Sequence, residues 1–130
     1  GYLPHSSIFY PELSGFENLD FWAKMHNLDN RKQLVQESLT NAGLADFSED
    51  HTGLYSAGML QRLGLAMATI HNPTTLLLDE PFNNLDTKGI EYLNSIIADS
   101  REKNRSILMV THQKDDVADK VLRLERGALS

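Results

Sequence analysis

The feature that most constrains this chain is a short apolar run, Thr75-Leu76-Leu77-Leu78, that stops on two adjacent acids and a proline, Asp79-Glu80-Pro81. A continuous apolar run of this length, without alternation, predicts a strand buried on both faces of a parallel sheet. A second run, Ile107-Leu108-Met109-Val110, reads the same way and stops on Thr111-His112. Between them, Asp86 is placed to cap a helix with Ile90, Leu93, Ile96 and Ile97 facing inward. Strand, helix and strand in this order predict an α/β fold with a parallel sheet. A short helix near 114–119 and an alternating edge strand over 121–125, turned by Gly127, are expected to follow.

The front half has a different grammar. Gly1 to Leu3 read as the end of a strand stopped by Pro4. Ser14-Gly15-Phe16-Glu17 has the spacing of a capping box, and Phe16, Leu19 and Trp22, flanked by Phe21 and Met25, then fall near one helical stripe. Asn30 is a candidate cap for a second helix with Leu34, Val35, Leu39 and Ala42 inward and Gly43 as its stop. Residues 45–55 read as a loop. A third helix is expected after Ser56, carrying Leu60, Leu63, Ala66, Met67 and Ile70, and ending at Asn72-Pro73. This half is therefore expected to be a mainly helical piece.

Composition removes several function classes. The 130 residues, 41% hydrophobic and 23% charged, are those of a folded domain rather than a disordered segment. Without cysteine there is no disulfide scaffold, no thiolate-bound zinc and no cysteine nucleophile. The apolar runs are far too short to span a bilayer, and the first residues lack the basic and apolar regions of a secretory signal. The net charge is −6. Residues 1–50 hold 3 basic and 8 acidic side chains, net −5, against 9 and 10, net −1, over 51–130. Such a chain has little of the cationic surface on which nucleic-acid binding depends.

Three places carry candidate chemistry. Polar groups at the carboxyl ends of parallel strands are where ligands bind in open α/β sheets. There, Asp79 and Glu80 point in different directions, so one can hold a hydrated Mg²⁺ while the other faces an attacking water. The same pair is equally consistent with acids that merely cap the following turn. His112, at the end of the next strand, can donate to a phosphate oxygen or simply satisfy a local hydrogen bond. Tyr55-Ser56-Ala57-Gly58-Met59 stands directly before a helix, where a hydroxyl and free backbone N–H groups can meet an anion. Ser56 would cap that helix in either case.

Taken together and in order, these segments resemble the ATP-binding cassette (ABC) ATPases. The stretch from Tyr55 to Leu63 is similar to the family's signature motif, and Leu76 to Pro81 to its Walker B strand with the catalytic glutamate. Asn83-Asn84-Leu85-Asp86 resembles the D-loop, Thr111-His112 the switch histidine, and Gly1 to Ser7 the Q-loop region. The resemblance implies a P-loop NTPase fold of ABC type in three parts: a Q-loop region (1–9), a helical subdomain with the signature (10–72), and the Walker B to C-terminal core (73–130). It implies ATP and Mg²⁺ as ligands. Glu80 and His112 would be catalytic, and Asp79 would hold Mg²⁺ through water. Ser56, Ala57, Gly58, Met59, Asp86 and His5 would contact nucleotide. The implied partners are a second nucleotide-binding domain, head to tail, and a transmembrane permease subunit, with no nucleic acid. The implied place is peripheral, on the cytoplasmic face of the cell membrane. The implied role is to couple ATP hydrolysis to export. Phe9 and Tyr10 are the better candidates for partner contact, while Phe16 and Trp22 read as core.

Three departures qualify the resemblance, the smallest being Met59, where the signature often ends in glutamine and where the change is expected to be tolerated. The P-loop pattern G-x-x-x-x-G-K-[ST] does not occur; Gly53 and Gly58 have its glycine spacing, but Met59-Leu60 follow. With the start at Gly1, this leads to the expectation of an incomplete cassette that begins at the Q-loop and shows no ATPase activity alone. The second departure is His5, which stands where most members carry glutamine. This His, with Glu12-Leu13-Ser14 and Glu17-Asn18-Leu19, is similar to the small ATPases of haem exporters in cytochrome c maturation. The alternatives are a soluble, non-transporter ABC ATPase or a non-catalytic, partner-binding remnant.

Overall fold

A computed structural model describes residues 1–6, 9–112 and 118–130. Three parallel strands form the central sheet in the order β1 (Tyr2–Leu3), β2 (Thr75–Asp79), β3 (Ser106–Val110). The register runs Leu3 to Leu78 and Leu78 to Met109, so all three carboxyl ends lie along one edge. Between β1 and β2 come three helices, α1 (Gly15–Met25), α2 (Arg31–Asn41) and α3 (Ala57–Thr69); α4 (Thr87–Glu102) connects β2 to β3.

Local sequence explains where the helices start. The Ser14 side chain accepts from the Glu17 amide while the Glu17 carboxylate accepts from the Ser14 amide, a complete capping box. Ser56 caps α3 by accepting from the Met59 amide, and Asp86 caps α4 by accepting from the Gly89 amide at 2.8 Å. Asn30 differs from expectation. It precedes α2 in a left-handed conformation (φ 52°) and makes no side-chain cap bond. Asparagine tolerates that conformation, so it turns the chain rather than capping it. Residues 45–55 are not an open loop: two short 3₁₀ turns, Ala45–Phe47 and Thr52–Leu54, lead to a buried Tyr55 whose hydroxyl donates to the Phe47 carbonyl.

The helical faces are rotated relative to the sequence reading. In α1 the buried apolar residues are Leu19 and Ala23; Phe16 and Trp22 are half-buried, and Phe21 and Met25 are exposed. In α2, Val35, Leu39 and the following Ala42 are buried and Leu34 only half so. In α3, Leu63, Leu65, Ala66 and Ala68 are buried, with Leu60, Met67 and Ile70 at the margin. In α4, Leu93, Ile96 and Ile97 are buried together with Tyr92, whereas Ile90 is exposed. Phe9 packs against the core and Tyr10 is exposed, its ring edge-on to Phe21.

The strands depart most. β2 alternates: Leu76 and Leu78 are buried against the helices, while Leu77 is 42% exposed. β3 alternates too, with Leu108 and Val110 exposed and Ile107 and Met109 half-buried. Among the described residues the helices cover one face of the sheet only, and β3 pairs with β2 alone. The expectation of strands buried on both faces is therefore corrected. The strand expected over 121–125 is shorter and separate from the sheet. Leu124–Glu125 and Ala128–Leu129 form an antiparallel hairpin closed by Arg126-Gly127, both at positive φ as a tight hairpin turn requires. The helix expected near 114–119 falls largely outside the described residues, as does Ser7 of the Q-loop region.

Candidate functional site

The carboxyl edge of the sheet gathers residues that lie far apart in sequence. His5 stands two residues beyond Leu3, as Glu80 stands two beyond its register partner Leu78; His112 follows β3. His5 is exposed. Asp79, the last residue of β2, is half-buried, and Glu80 is buried. The Glu80 amide still donates to the Val110 carbonyl, extending the β2–β3 ladder by one bond. Its φ of 48° then bends the chain away into a left-handed conformation. For a non-glycine residue this costs on the order of 1–3 kcal/mol, and such strain persists only where surrounding contacts enforce it.

The Glu80 carboxylate faces His112. The imidazole Nε2 lies 3.2 Å from Glu80 Oε1, and the His112 amide donates to Oε2 at 3.4 Å. The Nε2 contact has ion-pair distance but not hydrogen-bond alignment, so among the described residues Oε1 has no aligned donor. A buried carboxylate oxygen without an aligned donor is a costly arrangement, and its near neighbour is His112 Nε2 at 3.2 Å. The His112 side chain is almost fully exposed, whereas that of Glu80 is buried.

The residues at this edge fit an Mg²⁺ held mostly by water and phosphate. Asp79 brings one half-buried carboxylate to the strand end, beside the buried Glu80. Mg²⁺ retains several waters and needs only one or two carboxylates beside substrate phosphates.

The second half of the site is the start of α3. Ser56 and Ala57 are exposed, Gly58 is half-buried, and Met59 packs against the core. A Cβ at Gly58 would lie 2.8 Å from the Asn84 carbonyl oxygen, so the helix and the 80–86 turn meet here with no room for a side chain. One turn further along the same face, Gln61 Nε2 donates to the carbonyls of Pro81 at 3.2 Å and Glu80 at 3.4 Å. The structure thus packs the segment around Ser56 onto the segment carrying Glu80. Asp86 sits at the far end of that turn, its carboxylate engaged with the Gly89 amide.

Two supporting residues fell within motifs quoted from the sequence but carried no role of their own there. Asn18 is buried and ties the 10–14 stretch and Thr52 to α1: its amide lies within donating distance of the carbonyls of Tyr10, Leu13 and Ser14 and of Thr52 Oγ1, and its oxygen accepts from the Tyr10 amide. Arg62 is buried and donates to the carbonyls of Ala42 and Gly43, closing the end of α2 onto α3. Gln61 likewise had no assigned role. Its one sequence signal is the three-residue spacing from Gly58, which places both on one helical face.

Among the described residues no helix is long and apolar enough to cross a membrane. Comparisons with known proteins agree with the geometry. The family described as ABC transporter matches residues 1–83. An uncharacterised ABC transporter ATP-binding protein of Bacillus subtilis, YdbJ, is 35% identical over 99% of this chain and 43% of its own length. The cytochrome c biogenesis ATP-binding export protein CcmA of Histophilus somni is 32% identical over 87% of this chain and 52% of its own length. The dimeric post-hydrolysis structure of the ATP-binding cassette MJ0796, bound to ADP and Pi, superposes with a TM-score of 0.77 at 24% identity. It matches 87% of this chain and 52% of that one. The chain spans about half the length of the relatives it matches. The fold is that of the P-loop NTPases of ABC type, and the chain belongs to the ABC transporter ATP-binding family.

Proposed function

We propose that these residues form part of the ATP-hydrolysing subunit of an ABC exporter, with the P-loop supplied by a segment outside the 130 residues. The observation that carries this reading is the meeting of buried Glu80 with His112 at the carboxyl ends of two adjacent parallel strands, beside Asp79. Glu80 acts as general base on the attacking water through its carboxylate; Oε1, which has no aligned donor among the described residues, is the oxygen with acceptor capacity to spare. His112 contacts the γ-phosphate from the solvent side. Asp79 would hold Mg²⁺ through water, and the ion would supply charge neutralisation at the phosphates. His5 orients solvent at the end of β1.

In this reading two subunits sandwich ATP head to tail. Ser56, Ala57, Gly58 and Met59 of one face the nucleotide held by the P-loop of the other, and Asp86 borders the same interface. A helix start with exposed N–H groups suits that task. The acidic helical region, with Tyr10 and Phe21 exposed on it, meets a transmembrane permease subunit at the cytoplasmic face of the membrane. Similarity to a protein named for export supports the direction of transport. The haem substrate rests on that one relative and on His5, so the proposal stops at export, with the cargo selected by the membrane subunit.

The test is hydrolysis by the complete subunit. Glu80→Gln should lower the ATPase rate at least about 100-fold, the scale of a lost general base, while binding of a fluorescent ATP analogue persists. Hydrolysis at the unmodified rate in Glu80→Gln would overturn the assignment.

A further inference from the structure

Glu80 has an unusual backbone for a residue whose carboxylate must be held in place. Its φ is 48°, and it is followed directly by a buried proline. Within the turn, the Glu80 carbonyl accepts from the Asn83 amide at 3.1 Å. The Glu80 amide is tied to the Val110 carbonyl and its carboxylate to the His112 amide, and a further restraint comes from α3: Gln61 donates its amide to the carbonyls of both Glu80 and Pro81. One amide group thus holds the two consecutive carbonyls that set the direction in which the Glu80 side chain leaves the backbone. Gly58, three residues earlier, lets α3 approach the same turn closely enough for this reach, since its Cα side abuts the Asn84 carbonyl.

We propose that Gln61 is a positioning residue for Glu80, and that it ties the start of α3 to the turn carrying the general base. The inference rests on the role given to Glu80 above. Gln61 is only half-buried and its two bonds go to backbone oxygens, so its contribution to overall folding is small compared with that of the neighbouring Leu63. Its contribution to geometry is large, because a displacement of about 1 Å in a catalytic group can lower a rate about 100-fold. A movement of the Ser56–Gly58 segment is transmitted through the same contacts to Glu80.

The experiment uses the complete subunit with Gln61→Met, which keeps length and packing but cannot donate, and Gln61→Lys, which restores a donor on a stem of similar reach. Gln61→Met should lower kcat about tenfold or more. KM for ATP, the Kd of a fluorescent ATP analogue and the midpoint of thermal unfolding should stay close to those of the unmodified subunit. Gln61→Lys should recover a substantial part of kcat. A change confined to kcat marks an interaction that matters in the transition state. A Gln61→Met variant with kcat within twofold of the unmodified subunit would overturn the proposal. So would loss of activity in step with loss of folded protein, or failure of Gln61→Lys to recover any rate. Failure of the underlying reading is separate: it shows as undiminished hydrolysis in Glu80→Gln, whatever Gln61 does.

Discussion

The helical region and the sheet of this chain solve the problem of burial differently. The helices close on themselves. Leu19 and Ala23 of α1, Val35 and Leu39 of α2, Leu44, and Leu63 of α3 are all essentially inaccessible, and Asn18 and Arg62 satisfy the backbone carbonyls where these elements join. The sheet is closed on one side only. Leu76, Leu78, Leu93 and Ile97 form its covered face, while Tyr2, Leu77, Leu108 and Val110 face outward. Among the described residues, a row of apolar side chains on the outer face, beside an edge strand, is a surface that invites pairing. The lesson is that one continuous core can be closed on its helical side and open on the outer face of its sheet, and that the candidate site draws on both, from α3 and from the strand ends.

The largest expected effect separates these regions directly. Leu63→Ala should destabilise the chain by about 2–5 kcal/mol, the range for a fully buried leucine. Leu108→Ala, 60% exposed in its native form, should change stability by no more than about 0.5 kcal/mol. Urea titrations of both variants check this. Equal losses would mean that the outer face of the sheet is covered in solution.

A smaller effect tests whether the helical region carries its own start signal. Ser14→Ala removes one arm of the capping box of α1 and should cost about 1 kcal/mol. Native-state hydrogen exchange should show the loss first at the amides of Glu17 and its neighbours, with β2 amides unaffected until global unfolding.

An effect that depends on pH concerns the seam where α1 and α3 end. The rings of His26 and His71 stack at 4.0 Å, and Trp22 lies edge-on to His26. Burial, then the neighbouring His26 and the terminal amine, push the His71 imidazole down from 6.5 to about 4. The folded chain therefore holds His71 neutral where the unfolded chain would protonate it. Its contribution is intact above about 6.5 and is lost as pH falls toward about 4, because the unfolded state binds more protons in that window. The unfolding midpoint should thus decline between those values, and less steeply in His71→Phe. An unchanged slope in that variant would remove His71 from the account.

Much of the fold was legible because its signals are local. The capping box at Ser14, the caps at Ser56 and Asp86, and the stop at Pro4 each depend on a few adjacent residues. The two apolar runs also declared themselves as strands. Their burial did not, because an apolar residue reads the same whether a layer covers it or not. The rotated faces of α1 and α4 have a similar cause: periodicity defines a stripe, but neighbouring elements decide which part of it is enclosed. Asn30 shows the converse, a residue type that suits both a cap and a left-handed turn, with only the backbone path choosing between them.

The sequence by itself determined the order of strand and helix, the helix starts, and the presence of Asp79, Glu80 and His112 at strand ends. Each follows from residue type and near-neighbour spacing. Only the tertiary structure decided that Glu80 and His112 meet, that Gln61 reaches the carbonyls behind Glu80, and that Asn18 and Arg62 join distant segments. Those contacts link side chains to atoms many residues away, often to backbone that any residue could provide. Such pairings leave no periodic trace in the chain and exist only once packing has brought the segments together.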